Sequence, residues 1–140
     1  KKYMKHIEKN IKTNIRENIK NIKQSIEIDD DYTNSKIEKC IINGVDTKKT
    51  KFKQIIEYIY KEVINDYDKL KDTPGIKRGD HSGTRGYTKI KLNNGDIISI
   101  QGKNSNTIIQ EIKSKCEKYN ISVKIELKFN GQTKSVTRQF

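Results

Sequence analysis

The chain of 140 residues has no alanine and no tryptophan, and only one proline, one methionine and two cysteines. Each scarcity excludes something. Cys40 and Cys116 stand far apart and are joined by only two histidines, His6 and His81. A structural zinc site takes about four ligands at close spacing, so no metal is expected. The two cysteines read as small apolar packing residues, or as a disulfide if the domain is secreted. No apolar run approaches the length of a membrane span and no signal peptide is visible, so no membrane partner is expected. No cofactor is expected either. Apolar residues make up 31% of the chain, low for a globular protein, which leaves material for one modest core. The first residue is Lys1 and not a methionine. This suggests an excised or processed piece, such as the last domain of a secreted polypeptide that is delivered and acts in the cytoplasm.

Positive charge, by contrast, is abundant. Thirty Lys and Arg face eighteen Asp and Glu, for a net charge of +12. The missing alanine beside a crowd of Lys, Asn and Ile is the mark of AT-rich codons, so part of the lysine excess is compositional. Arginine escapes that explanation. Only four occur, and Arg78, Arg85 and Arg138 are all in the second half, with Arg16 in the first. Residues 1–70 carry 16 basic and 12 acidic side chains; residues 71–140 carry 14 and 6. Codon drift spreads charge evenly, whereas a face for a polyanion clusters it. Nucleic acid, RNA above all, is therefore the expected partner, with an acidic inhibitor or partner protein as another reader of such a face.

Hydrophobic periodicity gives the elements. Ile7, Ile11, Ile15, Ile19, Ile22 and Ile26 recur at steps of three and four, predicting a helix over 4–27 with one narrow apolar stripe. His6 falls on its polar flank and reads as inert. Residues 29–50 read as irregular, with a short helical turn at Ile37, Cys40 and Ile41. Phe52, Ile55, Ile56, Ile59, Tyr60, Val63, Ile64, Tyr67 and Leu70 predict the main core helix over 51–70, stopped before Pro74. Strict alternation predicts a hairpin over 87–101 through a two-residue turn at Asn94-Gly95. A helix over 106–119, with Thr107 and Gln110 as a capping box, and a strand over 121–129 follow. The last strand, ending near Phe140, is polar enough to be an edge.

The fold class is therefore α+β. N-terminal helices pack on a small, mainly antiparallel sheet, with helix-loop-ββ-α-ββ order in the C-terminal half. Residues 1–50 form a helix and irregular connector, and 51–140 a basic core. Lys89, Lys91, Lys124 and Lys128 are expected on the sheet face turned from the helices.

The stretch from Ile76 to Lys89 carries the chemistry. Gly79, Gly83 and Gly86 let its backbone approach a ligand closely. Lys77, Arg78, Arg85 and Lys89 match phosphate oxygens in charge, and arginine also in geometry. Lys91 and Lys103 extend the set, Lys103 from a position beside a helix N-terminus. These six are the candidate nucleic-acid-binding residues. A plain solvated connector would have the same glycines and serines.

Metal-independent RNA cleavage needs a base for the 2′-hydroxyl proton, an acid for the leaving oxygen and cations for the phosphorane. His81 supplies a base or acid, Arg78 and Arg85 the cations, Tyr87 an orienting group, and Asp80 or Glu57 a carboxylate partner. The expectation is thus a nucleic-acid-directed basic domain, a toxin-like metal-independent ribonuclease; the alternative is a non-catalytic RNA- or DNA-binding or protein-interaction module. A metal-dependent nuclease would use Glu126-Leu127-Lys128, of the Glu-x-Lys form seen in restriction-type nucleases, with Asp96 upstream. Two loose resemblances accompany this reading. Gly102-Lys103-Asn104-Ser105 resembles the backbone-clamping loop of KH domains, with Ser105 for the second glycine. Gly79-Asp80-His81 followed by a hairpin and a helix resembles the small HicA-type RNA-cleaving toxins.

Overall fold

The computed structural model describes residues 30–140; the isoleucine stripe of 4–27 and His6 lie outside the described residues. Helices and two antiparallel sheets alternate in the described chain, and residues Tyr32–Phe140 form one compact unit.

The first sheet holds β1 (Lys36–Ile42), β2 (Val45–Asp46), β6 (Val123–Lys128) and β7 (Val136–Gln139), in the order β2-β1-β6-β7. Its centre is the long β1·β6 pair, with Cys40 opposite Ile125 and Ile42 opposite Val123. Alternation on β6 buries Val123, Ile125 and Leu127 completely and leaves Lys124 exposed. β7 lies at the edge, as its polarity implies.

The segment expected to be irregular therefore supplies a central strand. Ile37, Cys40 and Ile42 are all buried, and they do not form a helical turn. The reason is a register shift between Ile37 and Lys39. The bulge spends one extra residue, so inward positions fall at 37, 40 and 42, and the alternation is broken where the sequence has to be read.

The helical stretch after β2 is likewise not one helix. α1 (Phe52–Tyr58) runs on into a π-helical turn, Ile59–Ile64, which ends at Asn65 with φ +52°. The amide of Asn65 reaches back to the Tyr60 carbonyl at 3.0 Å. Asp66 then caps a short new helix, α2 (Tyr67–Leu70), by accepting the Asp68 amide. Widening the last turn keeps Ile55, Ile56, Ile59, Tyr60 and Ile64 all buried, and the left-handed Asn65 ends it.

The second sheet contains β3 (Ile76–Arg78), β4 (Tyr87–Lys91) and β5 (Ile97–Gln101), in the order β3-β5-β4. β3 occupies what the sequence presents as the start of a loop. Its three residues are too few for a periodic signal. The β4–β5 hairpin is present, but its loop has three residues. Leu92 pairs with Asp96, the Gly95 amide donates to the Leu92 carbonyl at 2.9 Å, and Gly95 takes the left-handed position at φ +96°.

α3 (Ser105–Tyr119) joins the two sheets in sequence. Asn104 caps it by accepting the Thr107 amide at 2.9 Å, in place of the expected Thr107–Gln110 box. Its buried apolar residues, Ile108, Ile109, Ile112 and Cys116, merge with those of α1 and both sheets into a single core. Both cysteines are free and buried, and burial raises their thiol pKa, for Cys116 to about 11. Among the described residues, no helix is long and apolar enough to cross a membrane.

Candidate nucleic-acid interface

β3 and β4 both run antiparallel to β5, which lies between them. They are therefore parallel to each other, and residues 79–86 have to return from one end of the sheet to the other. The segment does so as a strap across the sheet face. Gly79 turns the chain at φ +88°, its amide donating to the Ile97 carbonyl at 2.7 Å. The amide of His81 then donates to Ser99 Oγ at 2.7 Å, while that hydroxyl donates to the Gly79 carbonyl at 2.8 Å. Ser99 is in mid-strand and completely buried beneath the strap.

Farther along, the strap is a chain of turns. The Asp80 carboxylate accepts the Ser82 amide at 2.9 Å and the Ser82 hydroxyl. These bonds hold the Asp80 carboxyl below its usual pKa, with smaller help from Lys89 and His81. The Thr84 amide donates to His81, and the Tyr87 amide to Thr84. The second of these turns has Gly86 at φ +86°, the third-position geometry of a type II turn. The plain-connector reading therefore misses a built element, because slack chain would not be hydrogen-bonded at each bend.

The same register sorts the basic residues. Lys77, Ser99 and Lys89 form one cross-strand row, with Lys89 and Lys77 on opposite sides of the strap. Strands about 4.8 Å apart put the two lysine backbones about 10 Å apart, and Lys91 lies about 7 Å beyond Lys89 along β4. Lys91 is opposite Ile97, which is 38% exposed. Tyr87 is half-buried on the same face, and Lys77 Nζ lies 4.8 Å from its ring centroid. Lys89 makes only a loose pair with Asp80, 3.8 Å apart and both about half exposed, an arrangement worth little in water. Arg85 is exposed in the last turn of the strap, with no ion pair among the described residues.

Other candidates do not join this face. Arg78 alternates to the opposite side of β3, where its guanidinium covers the Tyr67 ring at 5.3 Å. Lys103 is ion-paired with Glu111, with both side chains mostly buried, and it also donates to the Pro74 carbonyl. Glu111 in turn accepts the Tyr60 hydroxyl at 2.8 Å. Burial, then the charge and hydrogen bond of Glu111, raise the Tyr60 phenol pKa. This buried network ties the π-helical turn, α3 and the turn before β3 together, so the likeness of residues 102–105 to a clamping loop does not extend to a free lysine. Lys124 and Lys128 belong to the other sheet, Lys128 near Glu38 at 3.9 Å. The sequence reading placed them beside Lys89 and Lys91 because it assumed one sheet where there are two.

His81 is partly buried, and its Nε2 is 2.9 Å from the Arg78 carbonyl oxygen. A carbonyl only accepts, so Nε2 carries the proton and Nδ1 is the nitrogen left to act as a base. Nδ1 has no hydrogen-bond partner among the described residues, and no hydrogen bond or ion pair joins His81 to Glu57. Glu126 is on β6 of the first sheet and Asp96 ends the hairpin loop of the second, and no group of three metal-ligating side chains forms among the described residues.

Ser99 is the residue of this candidate site that the sequence does not single out. Its only signal is a serine among isoleucines in Ile97-Ile98-Ser99-Ile100, where a buried hydroxyl has to find partners. No protein-family model matches the chain, and no curated protein or solved structure matches it either.

Proposed function

We propose that the domain binds RNA through the strapped face of its three-stranded sheet. One observation carries the reading: Lys77, Lys89 and Lys91 occupy a single face around a hydrogen-bonded, glycine-rich strap that holds up Arg85. Among the described residues, none of these four is locked to a carboxylate, apart from the loose Lys89–Asp80 contact. Phosphates supply such a face with its natural counter-charge, and binding releases the ions condensed on the backbone. Lys103, held by Glu111, is not part of the site. The test is titration of a labelled RNA oligonucleotide at graded salt, where affinity falls steeply as salt rises. Affinity that is absent or indifferent to salt overturns the reading.

A second reading, cleavage, is favoured by the tautomer of His81. With the proton held on Nε2 by the Arg78 carbonyl, Nδ1 is free to accept the proton of a 2′-hydroxyl. The 2′-oxygen then attacks the adjacent phosphorus, and the 5′-oxygen departs and takes a proton from water, whose hydroxide recovers the proton from Nδ1. Lys77, Lys89 and Arg85 stabilise the charge on the phosphorane. Arg78, turned toward Tyr67, takes no part. Cleavage of this kind proceeds in EDTA and leaves a 2′,3′-cyclic phosphate. His81→Ala abolishes it while leaving binding nearly intact. Intact RNA after long incubation with the wild-type domain removes this second reading and leaves the first standing.

A further inference from the structure

We infer that the RNA taken by this face is single-stranded, with one unstacked base seated on the ring of Tyr87. The inference rests on the proposed RNA-binding face and adds the class of RNA to it.

Tyr87 opens β4 directly after Arg85-Gly86, and its ring is only half-buried. Lys77 Nζ lies 4.8 Å from the ring centroid, over its face. An ammonium group can sit there only if the protein does not cover that side of the ring. A flat nucleobase fits the same space. The existing contact is an exposed cation–ring attraction, weaker than a base stacked on an aromatic side chain. A base therefore displaces the ammonium, and the phosphate of the same strand receives it. Tyr87 thus offers a base seat, and Lys77 exchanges the ring for a phosphate.

Duplex RNA cannot use this seat. Its bases are stacked on each other, and its deep, narrow major groove shuts out side chains, whereas a single strand splays its bases outward onto aromatic rings. The lysine spacing agrees. Lys89 and Lys91 follow one another along a strand, as phosphates do along an extended backbone, and they lie beside the partly exposed Ile97. The face is also small, three strands wide and at most five residues long, room for a few nucleotides of one strand.

The test compares a labelled twelve-nucleotide single-stranded RNA with the same sequence in a duplex. Wild type binds the single strand more tightly. Tyr87→Leu weakens single-strand binding about 5- to 100-fold and leaves duplex binding unchanged. Tyr87→Phe, which keeps the ring, retains binding. Because the chain has no tryptophan, Tyr87→Trp adds one fluorophore at the seat itself. Its emission is quenched by the single strand and not by the duplex. Equal binding of both RNAs, with no quenching, overturns this inference and leaves the RNA-binding reading intact. Binding to neither overturns both.

Discussion

The hydroxyl of Ser99 accepts the amide of His81 at 2.7 Å and donates to the carbonyl of Gly79 at 2.8 Å, so one buried serine fastens both ends of the strap's first bend. Ser99→Ala leaves two backbone groups beneath the strap without their partner. The loss of stability is about 1–3 kcal/mol, read from urea unfolding. RNA affinity falls as well, because the strap no longer holds Arg85 in place. Amide exchange at His81 checks the cause: it speeds up in the variant even in mild conditions.

Lys103 and Lys77 separate structure from binding. Lys103 is the partner of a mostly buried carboxylate, so Lys103→Met leaves Glu111, among the described residues, with the Tyr60 hydroxyl alone. The variant is destabilised by about 3 kcal/mol, the lower end of the range for breaking a buried pair, and its RNA affinity at a temperature where it remains folded is close to wild type. Lys77→Ser has the reverse profile, an unchanged denaturation midpoint and weaker binding. Paired denaturation and binding curves check both.

Gly75 is required twice over. Its φ is +81°, and a β-carbon there would come within 3.0 Å of Lys103 Cε and 3.1 Å of Gln101 Cβ. Gly75→Ala costs about 1–2 kcal/mol from the left-handed backbone alone. Displacing Lys103 from Glu111 adds to this. The midpoint of thermal unfolding, compared with Gly44→Ala, separates the two effects. Gly44 has the same left-handed backbone but nothing within 4 Å of a built β-carbon.

Acid should loosen the strap. The Asp80 carboxyl is held below its usual pKa chiefly by the Ser82 hydroxyl and amide. A group depressed in the folded state stabilises that state above its unfolded pKa, about 3.9, and the contribution disappears as pH falls through the lower folded value. Amide exchange at Ser82 therefore accelerates below about pH 3.9 while the core strands remain protected. Asp80→Asn removes that pH dependence. The Asp80→Asn variant also frees Lys89 for phosphate, so its RNA affinity is equal to or above wild type at neutral pH.

The sequence revealed the parts whose periodicity is unbroken. β6 alternates without interruption from Val123 to Leu127, and α3 repeats at three and four, so both could be read directly. β1 was hidden by one bulged residue, and the helix break by the left-handed Asn65, which carries no distinctive apolar pattern. The basic loop stood out by composition. Its crossing over β5 did not, because it follows from β3, a strand of three residues. Once β3 exists, the parallel relation to β4 forces the strap, and alternation along β3 separates Lys77 from Arg78. Lys103 was misleading for a different reason: its partner Glu111 is eight residues away on a helix, and only the fold brings them together.

The most direct measurement is the salt dependence of RNA binding for two triple variants. One replaces Lys77, Lys89 and Lys91 by serine on the strapped sheet; the other replaces Lys36, Lys39 and Lys124 on the four-stranded sheet. Net charge drops equally in both. The account predicts that the log–log salt slope for single-stranded RNA falls by about 2 in the first and is unchanged in the second. Equal losses in the two variants would mean that charge alone, and not this face, attracts RNA, and would contradict the account.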